Sequence, residues 1–206
     1  MIGIPSKIVC VGRNYADHAK EMGNEVPKAP LLFLKPSSAM IGNGEAIVLP
    51  AASARVEFES EIGVVIGRQL SHANTDEAEA AIHGFVCVND VTARDLQNSD
   101  GQWTRAKGFD TFCPVGPAIR SGLDWRDLEV VGRVNGAERQ RARTSEMVFS
   151  IPALLAYISD VMTLLPGDLV ATGTPAGVGR LAPGDIVEVE IPGVGILRNP
   201  VMGPAQ

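Results

Sequence analysis

The 206-residue sequence has few cysteines, few aromatic residues and no excess of positive charge. Cys10, Cys87 and Cys113 are odd in number and far apart, so they form neither a disulfide framework nor a zinc-binding pattern. Because 24 acidic residues face 18 basic ones, the formal net charge of −6 argues against a nucleic-acid-binding protein. The sequence also lacks a signal-peptide pattern and any apolar run long enough for a membrane helix. We therefore expect a cytoplasmic protein that binds neither nucleic acid nor membranes.

Glycine and proline are abundant instead, at 22 and 14 residues. This composition predicts many turns and short strands rather than a helix bundle. The hydrophobic share of 45% suffices for a folded core, which must be largely aliphatic because only 5% of residues are aromatic. We expect a single domain spanning residues 1–206, of the α+β class with a mostly β core. Cys10 and Cys87 lie in apolar runs and are predicted to be buried thiols.

Apolar periodicity gives a coarse order of elements. It predicts a strand pair with a tight turn within 40–50, a hairpin turn at Asn135-Gly136 and a functional loop at 99–116. Strands are predicted at 7–11, 31–34, 56–66, 84–88 and 128–134, and helices at 14–22, 75–82, 92–97 and 150–162.

An acidic run opens the strand predicted at 56–66. Because side chains alternate faces along a strand, Glu57, Glu59 and Glu61 would share one face. One interpretation is a solvated edge strand, and the other is a cation site in which a metal offsets the repulsion between the carboxylates. Asp90 follows an apolar strand at a strand-to-helix junction, where it could cap the next helix, bind a metal, or do both. Two glutamates and one aspartate suit Mg²⁺, Mn²⁺ or Ca²⁺ better than zinc.

A second candidate group lies near the N-terminus, where His18 and Glu21 are three residues apart on a predicted helix. A carboxylate beside an imidazole fixes its tautomer and raises its basicity, as a general base requires. The alternative is an exposed helical pair of little consequence. His72 and His83 have no such partner in the sequence, and we expect them at the surface.

Two further segments carry candidate binding groups. A helix through 90–97 would place Arg94 and Gln97 on the same side as Asp90, and Lys107 lies in the predicted loop. A cation beside a metal cluster suggests an anionic substrate, although Lys107 could equally be a solvated loop residue. The glycines of 172–179 could direct backbone N–H groups at a carboxylate. This segment has neither the phosphate-loop nor the dinucleotide-binding pattern.

Together these segments resemble the fumarylacetoacetate hydrolase family from about residue 8 to 189. The short form is most similar to acylpyruvases and related diketo-acid hydrolases. Five blocks in the same order carry the resemblance: VGRNYADH (11–18), ESEIGVV (59–65), NDVTARDLQ (89–97), AKGFD (106–110) and TGTPAGVG (172–179).

The resemblance implies a mixed β-sandwich roll, usually a homodimer, with Mg²⁺ or Mn²⁺ bound by Glu59, Glu61 and Asp90. Glu57 has no counterpart in the family motif. An aspartate that precedes the histidine in full-length members is replaced here by Val11. His18 with Glu21 would activate water, and Lys107 would stabilise developing negative charge. The residues implied to hold the polar ends of the substrate are Arg13, Tyr15, Arg94, Gln97 and Thr174.

The chemistry then expected is hydrolytic C–C cleavage of a 2,4-dioxo acid, an acylpyruvate or fumarylpyruvate, to pyruvate and a carboxylic acid. Oxaloacetate decarboxylation and isomerisation of an unsaturated 2-oxo diacid would pass through the same enolate. The pair of His18 and Glu21 favours hydrolysis, because decarboxylation needs no water-activating base. A protein that binds a divalent ion without catalysis is the remaining alternative.

Overall fold

The computed structural model describes residues 3–204. The strands are β1 (Ile8–Gly12), β2 (Leu31–Lys35), β3 (Met40–Ile41), β4 (Ile47–Val48), β5 (Val56–Phe58), β6 (Ser60–Ile66), β7 (Ile82–Asn89), β8 (Thr92–Ala93), β9 (Cys113–Arg120), β10 (Glu129–Val134), β11 (Ala137–Arg143), β12 (Leu169–Ala171), β13 (Gly179–Arg180), β14 (Ile186–Ile191) and β15 (Gly195–Met202). The α-helices are α1 (Ala16–Glu21), α2 (Thr75–Ala80), α3 (Arg94–Ser99), α4 (Thr104–Lys107) and α5 (Ile151–Val161).

Most of these strands belong to two larger sheets. The first has the order β2-β1-β12-β6-β7-β9-β3, and the second has the order β11-β10-β14-β15-β4. A small third sheet joins β13, β5 and β8. The pairs β1–β12, β3–β9 and β4–β15 are parallel, whereas neighbours such as β6–β7 and β14–β15 are antiparallel. The predicted α+β class and mixed β-sandwich roll are confirmed.

The central strands of the first sheet are buried on both faces, which explains their uninterrupted apolar sequences. Along β7, Phe85 and Cys87 belong to the core shared with α5 and the second sheet. Val86 and Val88 belong to a separate core on the opposite face. All three cysteines are buried and unpaired within residues 3–204, as predicted for Cys10 and Cys87. No helix in this part of the chain is long and apolar enough to cross a membrane.

Several local predictions need correction. The strands at 40–41 and 47–48 do not pair with each other, because β3 pairs with β9 and β4 pairs with β15. The predicted loop at 99–116 contains α4 and the start of β9. By contrast, the hairpin is confirmed: Asn135 and Gly136, at φ 53° and 77°, connect the antiparallel strands β10 and β11.

Candidate metal centre and active site

Three carboxylates from two neighbouring strands meet at one edge of the first sheet. β6 and β7 run antiparallel, with Ser60 opposite Asn89, so the start of one strand lies beside the end of the other. One oxygen each from Glu59, Glu61 and Asp90 lies within 4.8 Å of the other two. All three residues are buried, with at most 4% of their surface exposed. The structure thus brings the predicted ligands together at the position that the strand pairing dictates.

The strand is interrupted at Glu59, between β5 and β6, so the continuous strand predicted at 56–66 is wrong. The Glu59 N–H donates to Asn89 Oδ1 at 3.0 Å, and the Glu59 carbonyl accepts from the Asp90 N–H at 2.9 Å. This break places Glu57 in the small sheet, outside the group of three carboxylates. The prediction that Glu57 shares one strand face with Glu59 and Glu61 is therefore wrong. A solvated edge strand is also excluded, because Glu57 itself is 1% exposed.

Buried cations surround the carboxylates. Lys107 donates to Glu59 Oε2 at 2.8 Å and to Asp90 Oδ2 at 2.6 Å. Lys35 donates to Asp90 Oδ1 at 2.6 Å, and Arg94 Nη2 donates to Glu59 Oε1. Each cation is at most 2% exposed, so Lys107 is not a solvated loop lysine. Such charges are stable inside a protein only when they are paired and hydrogen-bonded.

Asp90 and Arg94 do not lie on one helix face as predicted. Three residues, Val91 and the two residues of strand β8, separate Asp90 from α3, which begins at Arg94. The residue before the helix is Ala93, and no side chain caps its start, so Asp90 is not an N-cap. Arg94 reaches the site through Glu59 instead, and Arg94 Nη1 donates to Gln97 Oε1.

The charges in this group shift its pKa values in different directions. Burial raises the pKa of Glu61 well above its usual range, and the nearby charges of Asp90 and Glu59 raise it further. Burial would also raise the pKa of Glu59, but Lys107 and Arg94 outweigh it and hold that pKa below its usual range. For Lys107, burial favours a lower pKa, yet Asp90 and Glu59 raise it. Lys107 therefore remains an ammonium ion at neutral pH.

The glycine-containing segment 172–179 does present N–H groups to carboxylates, and they belong to the protein itself. The Gly173 N–H donates to Glu61 Oε2 at 2.8 Å. The Gly177 N–H donates to both oxygens of Glu21, at 3.0 and 3.2 Å. Gly173 has φ +102°, and a Cβ atom there would lie 2.8 Å from Asn14 Cβ. The turn thus requires glycine and fixes one oxygen of Glu61.

His18 and Glu21 form the predicted pair on α1, with 3.3 Å between His18 Nδ1 and Glu21 Oε2. His18 is 5% exposed, whereas 34% of the Glu21 side chain is exposed. His72 and His83 are exposed, as expected, and His72 contacts Asp160 at 3.2 Å on the surface.

A cavity of about 320 Å³ brings these groups together. The cavity is lined by His18, Glu59, Glu61 and Lys107, and by four of the residues predicted to bind substrate. These four are Arg13, Arg94, Gln97 and Thr174. The remaining lining residues are Val11, Gly12, Met22, Asn24, Phe33, Asn98 and Trp103.

Tyr15 is the predicted substrate-binding residue that does not line this cavity. It is 3% exposed, and its hydroxyl has no hydrogen-bond partner within residues 3–204. Burial raises the pKa of Tyr15, as do the charges of Glu61 and Glu146. Arg13 has a positive φ of 59°, a conformation that is costly for a residue with a side chain and often occurs at functional sites.

Lys35, Asn89 and an aromatic wall were missed by the sequence-based prediction. Phe33 and Trp103 pack edge to face with 5.3 Å between ring centroids, and Lys107 Nζ lies 4.8 Å from the Phe33 centroid. For Lys35, the one available signal was a lysine at the end of an apolar strand, because a buried ammonium requires a partner. The identity of that partner, 55 residues away, is a property of the fold.

The donor set fits a divalent metal ion. Glu59, Glu61 and Asp90 offer only oxygen ligands, which Mg²⁺, Mn²⁺ and Ca²⁺ prefer. With Glu57 included, four buried carboxylates face three buried cations, Lys35, Arg94 and Lys107. The group therefore carries a net negative charge when all its members are ionised. A divalent cation would offset this charge, and Glu59, Glu61 and Asp90 are the residues that could hold it.

The fold and this carboxylate site together define a known class of enzymes. The family model described as "Fumarylacetoacetate (FAA) hydrolase C-terminal" matches residues 7–202. The chain therefore belongs to the fumarylacetoacetate hydrolase family.

Relatives and solved structures agree with this assignment. A protein of Methanocaldococcus jannaschii is 52% identical over 195 residues, covering 95% of this chain and 82% of the relative. The rat oxaloacetate tautomerase Fahd2a, mitochondrial, is 43% identical over 209 residues, covering 96% and 67%. A 2-hydroxyhepta-2,4-diene-1,7-dioate isomerase from Mycobacterium marinum superposes with a TM-score of 0.91 at 50% identity, covering 98% and 77%. Fumarylpyruvate hydrolase from Pseudomonas aeruginosa, in complex with Mn²⁺ and pyruvate, has a TM-score of 0.91 at 32% identity, covering 96% and 90%.

Proposed function

We propose that this protein is a divalent-metal-dependent hydrolase that cleaves the C–C bond of a 2,4-dioxo acid, giving pyruvate and a carboxylic acid. The observation that carries the proposal is the single cavity in which His18, backed by Glu21, faces a buried carboxylate group and Lys107. This arrangement combines a base, a cation site and a fixed positive charge within reach of one small substrate.

His18 is the proposed general base. When Glu21 accepts the Nδ1–H of His18, Nε2 of the imidazole is left to take a proton from water. The resulting hydroxide adds to the C4 carbonyl of the substrate, and the C3–C4 bond breaks. Its electron pair moves to C3 as the enolate of pyruvate, which then receives a proton at C3. The other product is the carboxylic acid that contains C4.

Glu59, Glu61 and Asp90 would hold Mg²⁺ or Mn²⁺, which when bound supplies Lewis-acid stabilisation of negative charge on the 2-oxo oxygen of the substrate. The Mn²⁺ and pyruvate in the similar Pseudomonas structure support this choice of ion and product. Lys107 would stabilise charge that develops on the substrate, since it stays protonated and touches two of the three carboxylates. Arg13, Arg94, Gln97 and Thr174, which line the cavity, would hold the polar ends of the substrate, and Tyr15 would contribute from behind the cavity wall.

A second candidate is isomerisation or decarboxylation of a 2-oxo diacid through the same enolate. The names of two similar proteins, the rat oxaloacetate tautomerase and the M. marinum isomerase, favour the isomerisation. In both reactions charge develops at C3 of a 2-oxo acid, so the cation site and Lys107 would serve equally well. The difference lies in whether water must be activated.

His18→Ala separates hydrolysis from decarboxylation. We expect it to lower the hydrolysis of acetylpyruvate by about 10²–10⁴-fold, the usual contribution of a general base, and to affect oxaloacetate decarboxylation far less. His72→Ala is the matched control, because His72 also contacts a carboxylate but is exposed and remote from the cavity. Equal losses of both activities in His18→Ala would remove the argument for a water-activating base.

A further inference from the structure

Glu57 is a buried carboxylate to which the proposed reaction assigns no role. It lies on β5 and is 1% exposed, yet it is not among the carboxylates that converge at the candidate metal site. Its Oε1 accepts from Arg55 Nε at 2.6 Å, and its Oε2 accepts from Arg94 Nε at 2.7 Å. Arg55 is largely exposed, so Arg94 is the partner that Glu57 meets inside the protein.

Arg94 connects Glu57 directly to Glu59. The guanidinium donates to Glu57 through Nε, to Glu59 through Nη2 and to Gln97 through Nη1. Because the guanidinium is planar and rigid, fixing Nε against Glu57 also fixes the direction in which Nη2 points. Glu57 thereby determines where Arg94 holds the Glu59 carboxylate.

The charge of Glu57, like its contact with Arg94, favours binding of a cation at the site. Arg94 lies between two carboxylates, so its positive charge is shared between Glu57 and Glu59. Without the charge on Glu57, Arg94 would bind Glu59 more strongly and compete with a cation for its oxygens. A less constrained Arg94 would also place Glu59 less accurately. Both effects lower the affinity for a cation.

We propose that Glu57 is a positioning residue that acts through Arg94 on Glu59 and raises the affinity of the site for a divalent cation, an inference that rests on the metal site of the proposed function. Partners in the second layer around metal ligands commonly change metal affinity by about 10–100-fold. Glu57→Gln keeps the shape and an acceptor oxygen and removes the charge.

Isothermal titration calorimetry with Mg²⁺ and with Mn²⁺ on chelator-treated protein tests the proposal. We expect the Kd of Glu57→Gln to rise about tenfold. Two controls should stay within about twofold of the wild type, since partly exposed ion pairs contribute little. Arg55→Met removes the outer partner of Glu57, and Glu190→Gln neutralises a glutamate that pairs with Arg133 at 2.6 Å on the second sheet.

Kinetics separates positioning of the metal from other roles. With a substrate that the wild type turns over, the Mg²⁺ concentration for half-maximal activity should rise in parallel with Kd. The kcat at saturating Mg²⁺ should remain within about threefold, because only binding of the ion is weakened. Unchanged Kd with reduced kcat would overturn the proposal.

The outcomes distinguish this inference from the proposed function. Absence of Mg²⁺ and Mn²⁺ binding to the wild type would contradict the metal site itself. Wild-type binding that Glu57→Gln retains at full affinity would contradict only the role of Glu57. If circular dichroism shows that Glu57→Gln is unfolded, Glu57→Asp takes its place, because it keeps the charge but withdraws the carboxylate from Arg94. That variant should also lose affinity, and wild-type affinity would overturn the proposal.

Discussion

Lys35→Met tests whether the candidate site is held together by buried charge pairs. Lys35 Nζ donates to Asp90 Oδ1 at 2.6 Å and to the Val91 carbonyl at 3.0 Å, and both side chains of the ion pair are at most 1% exposed. Methionine nearly preserves the length of the side chain but leaves Asp90 with Lys107 as its remaining cation. Removing one partner of a buried ion pair typically costs 3–5 kcal/mol, and the remaining contact places this case near the lower end, at about 3 kcal/mol.

Urea unfolding in the presence of a chelator measures this loss directly. For a chain of this length, a loss of about 3 kcal/mol corresponds to a Tm that is lower by about 6–12 °C. Arg133→Met is the matched control, because the Arg133–Glu190 pair has the same 2.6 Å separation but is 24% and 30% exposed. The control should lose less than about 1 kcal/mol. If Lys35→Met loses no more than Arg133→Met, burial does not govern the energetics of this site.

Three further predictions follow from the same contacts. Burial and the charges of Asp90 and Glu59 raise the pKa of Glu61, so a metal ion must displace its proton and Mg²⁺ affinity should rise as the pH rises above the usual range of a glutamate. Calorimetry in buffers of different ionisation enthalpy would show proton release, and an affinity that falls with pH would contradict the assignment. In the metal-free protein, folding stability depends on pH in the opposite direction. The raised pKa of the Glu61 carboxyl stabilises the fold at low pH, and this stabilisation is lost as pH rises through the folded-state pKa. Glu59→Gln should weaken Mg²⁺ binding measured by calorimetry, and unchanged affinity would show that Glu59 is not a ligand. Gly173→Ala should cost more stability in urea than Gly184→Ala, because both have positive φ but only Gly173 has a neighbour within 4 Å of the new Cβ, and equal losses would contradict the close approach.

The sequence was most informative where the local pattern determines the geometry. The strand at 84–88 is apolar throughout because both faces of its sheet are buried, and Asp90 lies at its end because the strand stops there. The spacing of His18 and Glu21 places both side chains on one side of α1. Such features depend on neighbours in the chain, so periodicity can predict them.

The features of the fold and the site that the sequence did not predict depend on contacts between distant residues, which no local pattern encodes. The strand is interrupted at Glu59, whose N–H donates to Asn89 Oδ1, 30 residues further along the chain. β3 and β4 found partners in β9 and β15 rather than in each other, since two-residue strands have little pairing preference of their own. Lys35 and Asp90 are 55 residues apart in the sequence, so their contact depends on the fold as a whole and not on any local pattern. Glu57 appeared to belong to the carboxylate face until the break at Glu59 separated it.

Release of pyruvate from a panel of 2,4-dioxo acids, measured with Mg²⁺, with Mn²⁺ and with EDTA, tests the central claim most directly. We predict metal-dependent turnover of at least one acylpyruvate, with one carboxylic acid formed for each pyruvate and with activity lost in EDTA and in Glu59→Gln. Turnover that EDTA leaves unchanged, or no turnover of any substrate with either metal, would contradict the account.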